Sequence, residues 1–147
     1  MRSAAAAWLL AGLALATPAR AGQFDWDALG NEFCRASVAG DVAGLRAIFS
    51  RQLNQELDAA MQNPSLLPPN VLFQTYTNVV PACRAKTRNA ALVAIERGNP
   101  PRGVPSWTEY LVIAPEADGS SRIDDVLFAT RRSDTLRARL AFYALAR

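Results

Sequence analysis

The stretch from Ser106 to Thr130, SWTEYLVIAPEADGSSRIDDVLFAT, constrains the chain more than any other. It reads as two strands joined by a polar turn. Tyr, Val, Ile and Phe favour strands, and Pro115, Asp118, Gly119, Ser120 and Ser121 supply the turn. Side chains alternate between the two faces of a strand. Trp107, Glu109, Leu111 and Ile113 therefore share one side of the first strand, and Thr108, Tyr110, Val112 and Ala114 the other. In the second strand Ile123, Asp125, Leu127 and Ala129 share a side, opposite Asp124, Val126, Phe128 and Thr130. No side is cleanly polar. Both faces of the hairpin are thus expected to be at least partly covered, one by helices and the other by a partner or ligand.

The N-terminus reads as an export signal. Arg2 is followed by an apolar run from Ala4 to Ala16, and Ala19-Arg20-Ala21 is an A-x-A cleavage site, with cleavage after Ala21. The run is shorter than the roughly 20 residues that span a bilayer, and no later stretch is long and apolar enough to do so. The expected organisation is a signal peptide over residues 1–21 and one domain over 22–147, periplasmic or secreted. Removing Arg2 and Arg20 from the 16 basic residues leaves 14 against 13 acidic ones, a net charge of +1. So balanced a chain has no electrostatic case for nucleic acid.

Cys34 and Cys83 both fall in the mature chain. In an exported protein two cysteines most often pair. The alternatives are a free thiol or a metal pair, but the sequence has no histidine and two isolated thiolates make a poor zinc site. No metal and no cofactor is expected.

The remaining elements follow from periodicity. Phe24 to Ala39 reads as a helix, with Gly40 at its left-handed end and Asp41 capping the next. That second helix runs from Val42 to Met61, its apolar side carried by Val42, Leu45, Ile48, Phe49, Leu53, Leu57 and Met61. Three prolines make Asn63 to Asn70 a loop, and Val71 to Thr77 reads as a short helix. Ala82 to Arg97 has strand character. Gly98 to Pro105, with three prolines and two glycines, reads as a stiff exposed connection. Ser133 to Arg147 reads as a helix in preference to a strand, with Ser133 as its cap.

Helix, Ala39-Gly40-Asp41, helix, then an antiparallel sheet with a late Arg122-Ile123-Asp124-Asp125-Val126 strand resembles the nuclear transport factor 2-like superfamily. Leu45, Phe49-Ser50 and Ala91 to Ile95 also carry the likeness, which covers about Asn31 to Thr130 and is closest to small exported members. Such members often have Trp-Lys or Trp-Arg before the Ile-Asp-Asp-Val run, where this chain has Ser121-Arg122. The resemblance implies an α+β fold: N-terminal helices on a curved, cone-like antiparallel sheet, with a short C-terminal helix here. It also implies a pocket at the mouth of the cone and members that dimerise through the sheet. The superfamily holds both enzymes and non-catalytic proteins, so the fold does not choose between them.

The candidate pocket residues are Tyr76, Trp107, Glu109, Tyr110 and Asp125. Asp125 shares the parity of Ile123 and Leu127. A carboxylate among apolar neighbours would have a raised pKa and could act as a base; the plainer reading gives it an arginine partner or a place at the sheet edge. Glu109 and Glu96 pose the same question. Without histidine there is no Ser-His or Cys-His pair, and no glycine-rich loop has phosphate-binding spacing. Arg84, Lys86 and Arg88 alternate along a strand, and Arg131, Arg132, Arg137 and Arg139 cluster near the C-terminus; both sets suit a solvated face or an anionic partner. The sequence thus favours an exported, non-catalytic domain that binds a small ligand or an envelope protein through the concave face of its sheet. The alternatives are a small enzyme with a pocket carboxylate as general base, and an inhibitor or immunity protein for an envelope enzyme.

Overall fold

The computed structural model describes residues 25–62 and 82–145. Within them the chain is α+β. Three helices, α1 (Asp27–Ala39), α2 (Val42–Ile48) and α3 (Arg51–Met61), precede four strands. The strands are β1 (Ala82–Asn89), β2 (Leu92–Asn99), β3 (Val104–Pro115) and β4 (Ser121–Leu127), and a short helix, α4 (Leu136–Leu145), follows them. The sheet is an open antiparallel meander in the order β1-β2-β3-β4. Each pairing contains one register shift, the irregularity by which antiparallel strands bend and twist.

Local chemistry sets the helix ends. Gly40 takes the left-handed conformation (φ 67°) that closes α1. The Asp41 carboxylate accepts from the Gly44 N–H and starts α2. The continuous helix expected from Val42 to Met61 is instead two helices. Phe49 is extended and bridges to Ile123, and the Ser50 N–H donates to the Ile123 carbonyl. The Ser50 hydroxyl then accepts from the Leu53 N–H and restarts the helix. The apolar spacing carries across the break, so periodicity alone reads one helix.

The strand expected from Ala82 to Arg97 is a hairpin turning at Ala90-Ala91. The connection after Gly98 is shorter than expected: a single 3-10 turn, Pro100–Arg102, after which Val104 is already buried in β3. The C-terminal segment is a helix, as the composition indicates. Its cap is Thr135, whose hydroxyl accepts from the Ala138 N–H; Ser133 lies before the helix begins. The loop read over Asn63 to Asn70 and the helix read over Val71 to Thr77 lie outside the described residues, as does the signal segment.

The core lies between the helices and one face of the sheet. Phe33, Leu45, Leu53 and Leu57 from the helices meet Val93, Ile95, Leu111, Ile123 and Val126 from the strands, and Leu136 and Leu140 of α4 close the far side against α3. The Cys34–Cys83 disulfide, between residues 49 apart in sequence, joins α1 to β1. At the same junction the Asp27 carboxylate accepts from both the N–H and the hydroxyl of Thr87, and the Trp26 N–H donates to that hydroxyl. Those bonds from Thr87 hold the Asp27 carboxyl below the usual carboxylate range.

Candidate functional site

The expected pocket residues fall in different places. Trp107 and Glu109 lie together on the helix-facing side of the sheet. The pairing of β2 with β3 sets Arg97 against Trp107 and Ile95 against Glu109, so Arg97 and Glu109 are neighbours one step apart along that face. Glu109 is 0% exposed and Arg97 5%. Arg97 Nε donates to Glu109 Oε2 at 2.8 Å, and Trp107 Nε1 donates to Oε1 at 3.2 Å. Arg97 Nη2 donates to the Ser37 hydroxyl at 3.3 Å, and that hydroxyl donates to the Cys34 carbonyl. The guanidinium also lies 5.8 Å from the centre of the Phe33 ring.

A buried charge is tolerated when paired and hydrogen-bonded, and this one is both. Each oxygen of Glu109 accepts a hydrogen bond, one from Arg97 and one from Trp107. The carboxylate therefore ties β3 to Arg97 of β2, and Arg97 in turn reaches α1 through Ser37. Beside it is a cleft of about 390 Å³ whose wall includes Cys83, Arg84, Glu96, Arg97 and Trp107 but not Glu109. Arg97 and Ser37 complete this cluster and were not singled out in the sequence. The signal was present for Arg97: it continues the parity of Val93 and Ile95, and so had to lie on the buried face.

Asp125 lies elsewhere, and its expected parity is corrected. Val112 pairs with Asp125 but Ile113 pairs with Ile123, so Asp124 is an extra residue in a bulge. The bulge lets Ile123 and Val126 both enter the core and moves Asp125 off the side of Ile123. Asp125 Oδ1 accepts from the Val126 N–H at 2.8 Å and the Arg137 N–H at 3.0 Å. Asp124 accepts from the Ser50 hydroxyl at 2.7 Å and from Arg137 Nη2 at 2.9 Å, while Arg137 Nε donates to the Asp124 carbonyl. Asp125 thus sits at the edge strand, tied to the start of α4, which is the plainer of its two readings.

Tyr110 projects from the face of the sheet turned away from the core and is 37% exposed. Across the four strands it stands in the row Lys86, Ala94, Tyr110, Leu127, beside the row Leu92, Val112, Asp125. A cleft of about 450 Å³ opens at the end of this row, lined by Thr108, Tyr110, Leu127, Phe128, Ala129, Arg131 and Arg132. Arg84, Lys86 and Arg88 are exposed along β1, with Arg88 Nη2 3.5 Å from Glu96. The C-terminal arginines divide. Arg137 pairs with Asp124 and Glu56, and Arg139 with Asp134 while lying 3.8 Å over the Phe128 ring. Arg131 and Arg132 are exposed at the cleft. Arg139, then the Thr130 hydroxyl, hold the Asp134 carboxyl below the usual carboxylate range.

Tyr76 and the cleavage site at Ala21 lie outside the described residues. Among the described residues no three or more acidic or cysteine side chains gather where they could hold a metal ion, and no helix is long and apolar enough to cross a membrane. No protein-family model, no curated protein and no solved structure matches the chain.

Proposed function

We propose that the chain is an exported, non-catalytic binding module of the cell envelope, of the nuclear transport factor 2-like kind it resembles. The expected binding surface shifts with the packing. The helix-facing side of the sheet is filled by Val93, Ile95, Leu111, Ile123 and Val126 against the helices, so the binding surface is the opposite face. The observation that carries this reading is Tyr110: a large aromatic side chain held half-open in the middle of a sheet face, beside Leu127 and Val112, next to an open cleft. Aromatic side chains of this kind supply much of the energy where ligands and partners bind. The general-base alternative is weakened by the bonds already made to Glu109 and Asp125. The disulfide accords with an oxidising compartment.

The test is recovery of the tagged protein from the envelope fraction after mild cross-linking, in parallel with Tyr110→Glu. A molecule or protein captured by the wild type, a second copy included, should be lost in the variant. Equal capture by the two would move the binding surface elsewhere, and recovery in the cytoplasm with free thiols would overturn the export reading.

A further inference from the structure

We propose that the cleft at the end of β4 takes a small amphipathic anion, a single acyl or aryl chain ending in a carboxylate. The inference rests on the reading of this sheet face as the binding face and names the class of ligand. Tyr110, Leu127, Phe128 and Ala129 give the cleft an apolar floor. Its volume, about 450 Å³, is within the range of roughly 300–1,000 Å³ typical of small-molecule sites. Arg131 and Arg132 stand in its wall, and among the described residues no acidic side chain does. The cleft therefore pairs an apolar surface with two positive charges.

The nearest acid is already engaged by another arginine, though it also lies within electrostatic reach of Arg131. Asp134, the acid beside this stretch, accepts from Arg139 Nε at 2.6 Å and Nη2 at 2.7 Å and from the Thr130 hydroxyl. Arg139 in turn lies over the Phe128 ring, which is buried in the core. Arginine suits the task because its planar fork matches a carboxylate with two parallel bonds. A cleft with one apolar floor and two cations fits one chain and one head group, whereas a bilayer surface calls for a broad cationic array.

The experiment uses the mature, disulfide-bonded protein and dodecanoate below its micelle concentration, followed by calorimetry and by amide chemical shifts. Dodecyl maltoside, with the same chain and no charge, is the comparison. Dodecanoate should bind, with shifts centred on Tyr110, Leu127 and Ala129, and more weakly as salt is added. The double substitution Arg131→Gln/Arg132→Gln should weaken it by at least about tenfold. Both side chains are exposed, so this variant should keep the wild-type melting curve. Equal binding of the uncharged amphiphile, or no effect of the double substitution, would overturn the anion while leaving the face as a binding surface. Shifts centred elsewhere, no binding of dodecanoate, or binding only to vesicles of anionic phospholipid would overturn the site. The reading of the face fails separately, if Tyr110→Glu leaves envelope capture unchanged.

Discussion

Glu109 is the residue whose removal should cost most. Glu109→Gln keeps the size of the side chain but leaves the Arg97 guanidinium buried without its counter-charge. Breaking one side of a buried pair typically costs about 3–5 kcal/mol, because the remaining charge stays desolvated. Replacing both partners, as in Arg97→Met/Glu109→Leu, should recover most of that loss. Urea unfolding at neutral pH reads both variants; a cost under about 0.5 kcal/mol for Glu109→Gln would show that the pair does not hold the core. Half of this was legible in the sequence. Glu109 shares the parity of Leu111 and Ile113, and Arg97 that of Val93 and Ile95, so each was bound for the buried face. Their contact depends on the β2–β3 register, which no local pattern specifies. Asp125 failed for a related reason: one extra residue in β4 reverses parity beyond it, and the adjacent Asp124 and Asp125 do not mark where the bulge falls.

The elements dock through a few close contacts. At Gly30, in the first turn of α1, an added Cβ would lie 2.5 Å from the Ala85 Cβ and 2.9 Å from Val93 Cγ1. The helix lies this close to the sheet because glycine is there. Gly30→Ala, favourable in an isolated helix, should therefore destabilise the protein by about 1–3 kcal/mol through overpacking; an unchanged or raised Tm would mean that α1 can move away at no cost. The approach to α4 depends on Asp134, whose folded-state pKa lies below its ordinary value. A lowered pKa contributes stability above the unfolded value that is lost as pH falls through the folded one. Wild-type stability should fall between about pH 5 and about pH 2, and Asp134→Asn should flatten part of that slope. Identical profiles would remove Asp134 from the acid response. Helix and strand types were readable from periodicity, and Gly40 and Asp41 marked their own boundary. The break at Phe49-Ser50 was not readable, because it is imposed by pairing with Ile123, distant in sequence.

Across the whole molecule, the disulfide links the helical half to the sheet half. Cys34 is in α1 and Cys83 in β1, and the 49-residue separation encloses α2 and α3. A cross-link over about 50 residues removes loop entropy from the unfolded chain worth about 4 kcal/mol. Against the roughly 5–15 kcal/mol by which domains are stable, that is a large share. The other ties of α1 to the sheet are non-covalent: the bonds of Trp26 and Asp27 to Thr87 at one end, the Arg97–Ser37 bond, and the packing of Phe33 and Gly30. Reduction should therefore lower the unfolding free energy by about 2–5 kcal/mol, and Cys34→Ser/Cys83→Ser by a similar amount. The sheet face carrying Tyr110 lies away from the bond, so the reduced protein, while folded, should bind there with unchanged affinity. Denaturant curves with and without reductant, paired with a binding titration at low denaturant, measure both quantities on one sample. A midpoint insensitive to reductant would show that the halves hold together without the bond; a lost affinity in the folded, reduced protein would show that the binding face depends on it.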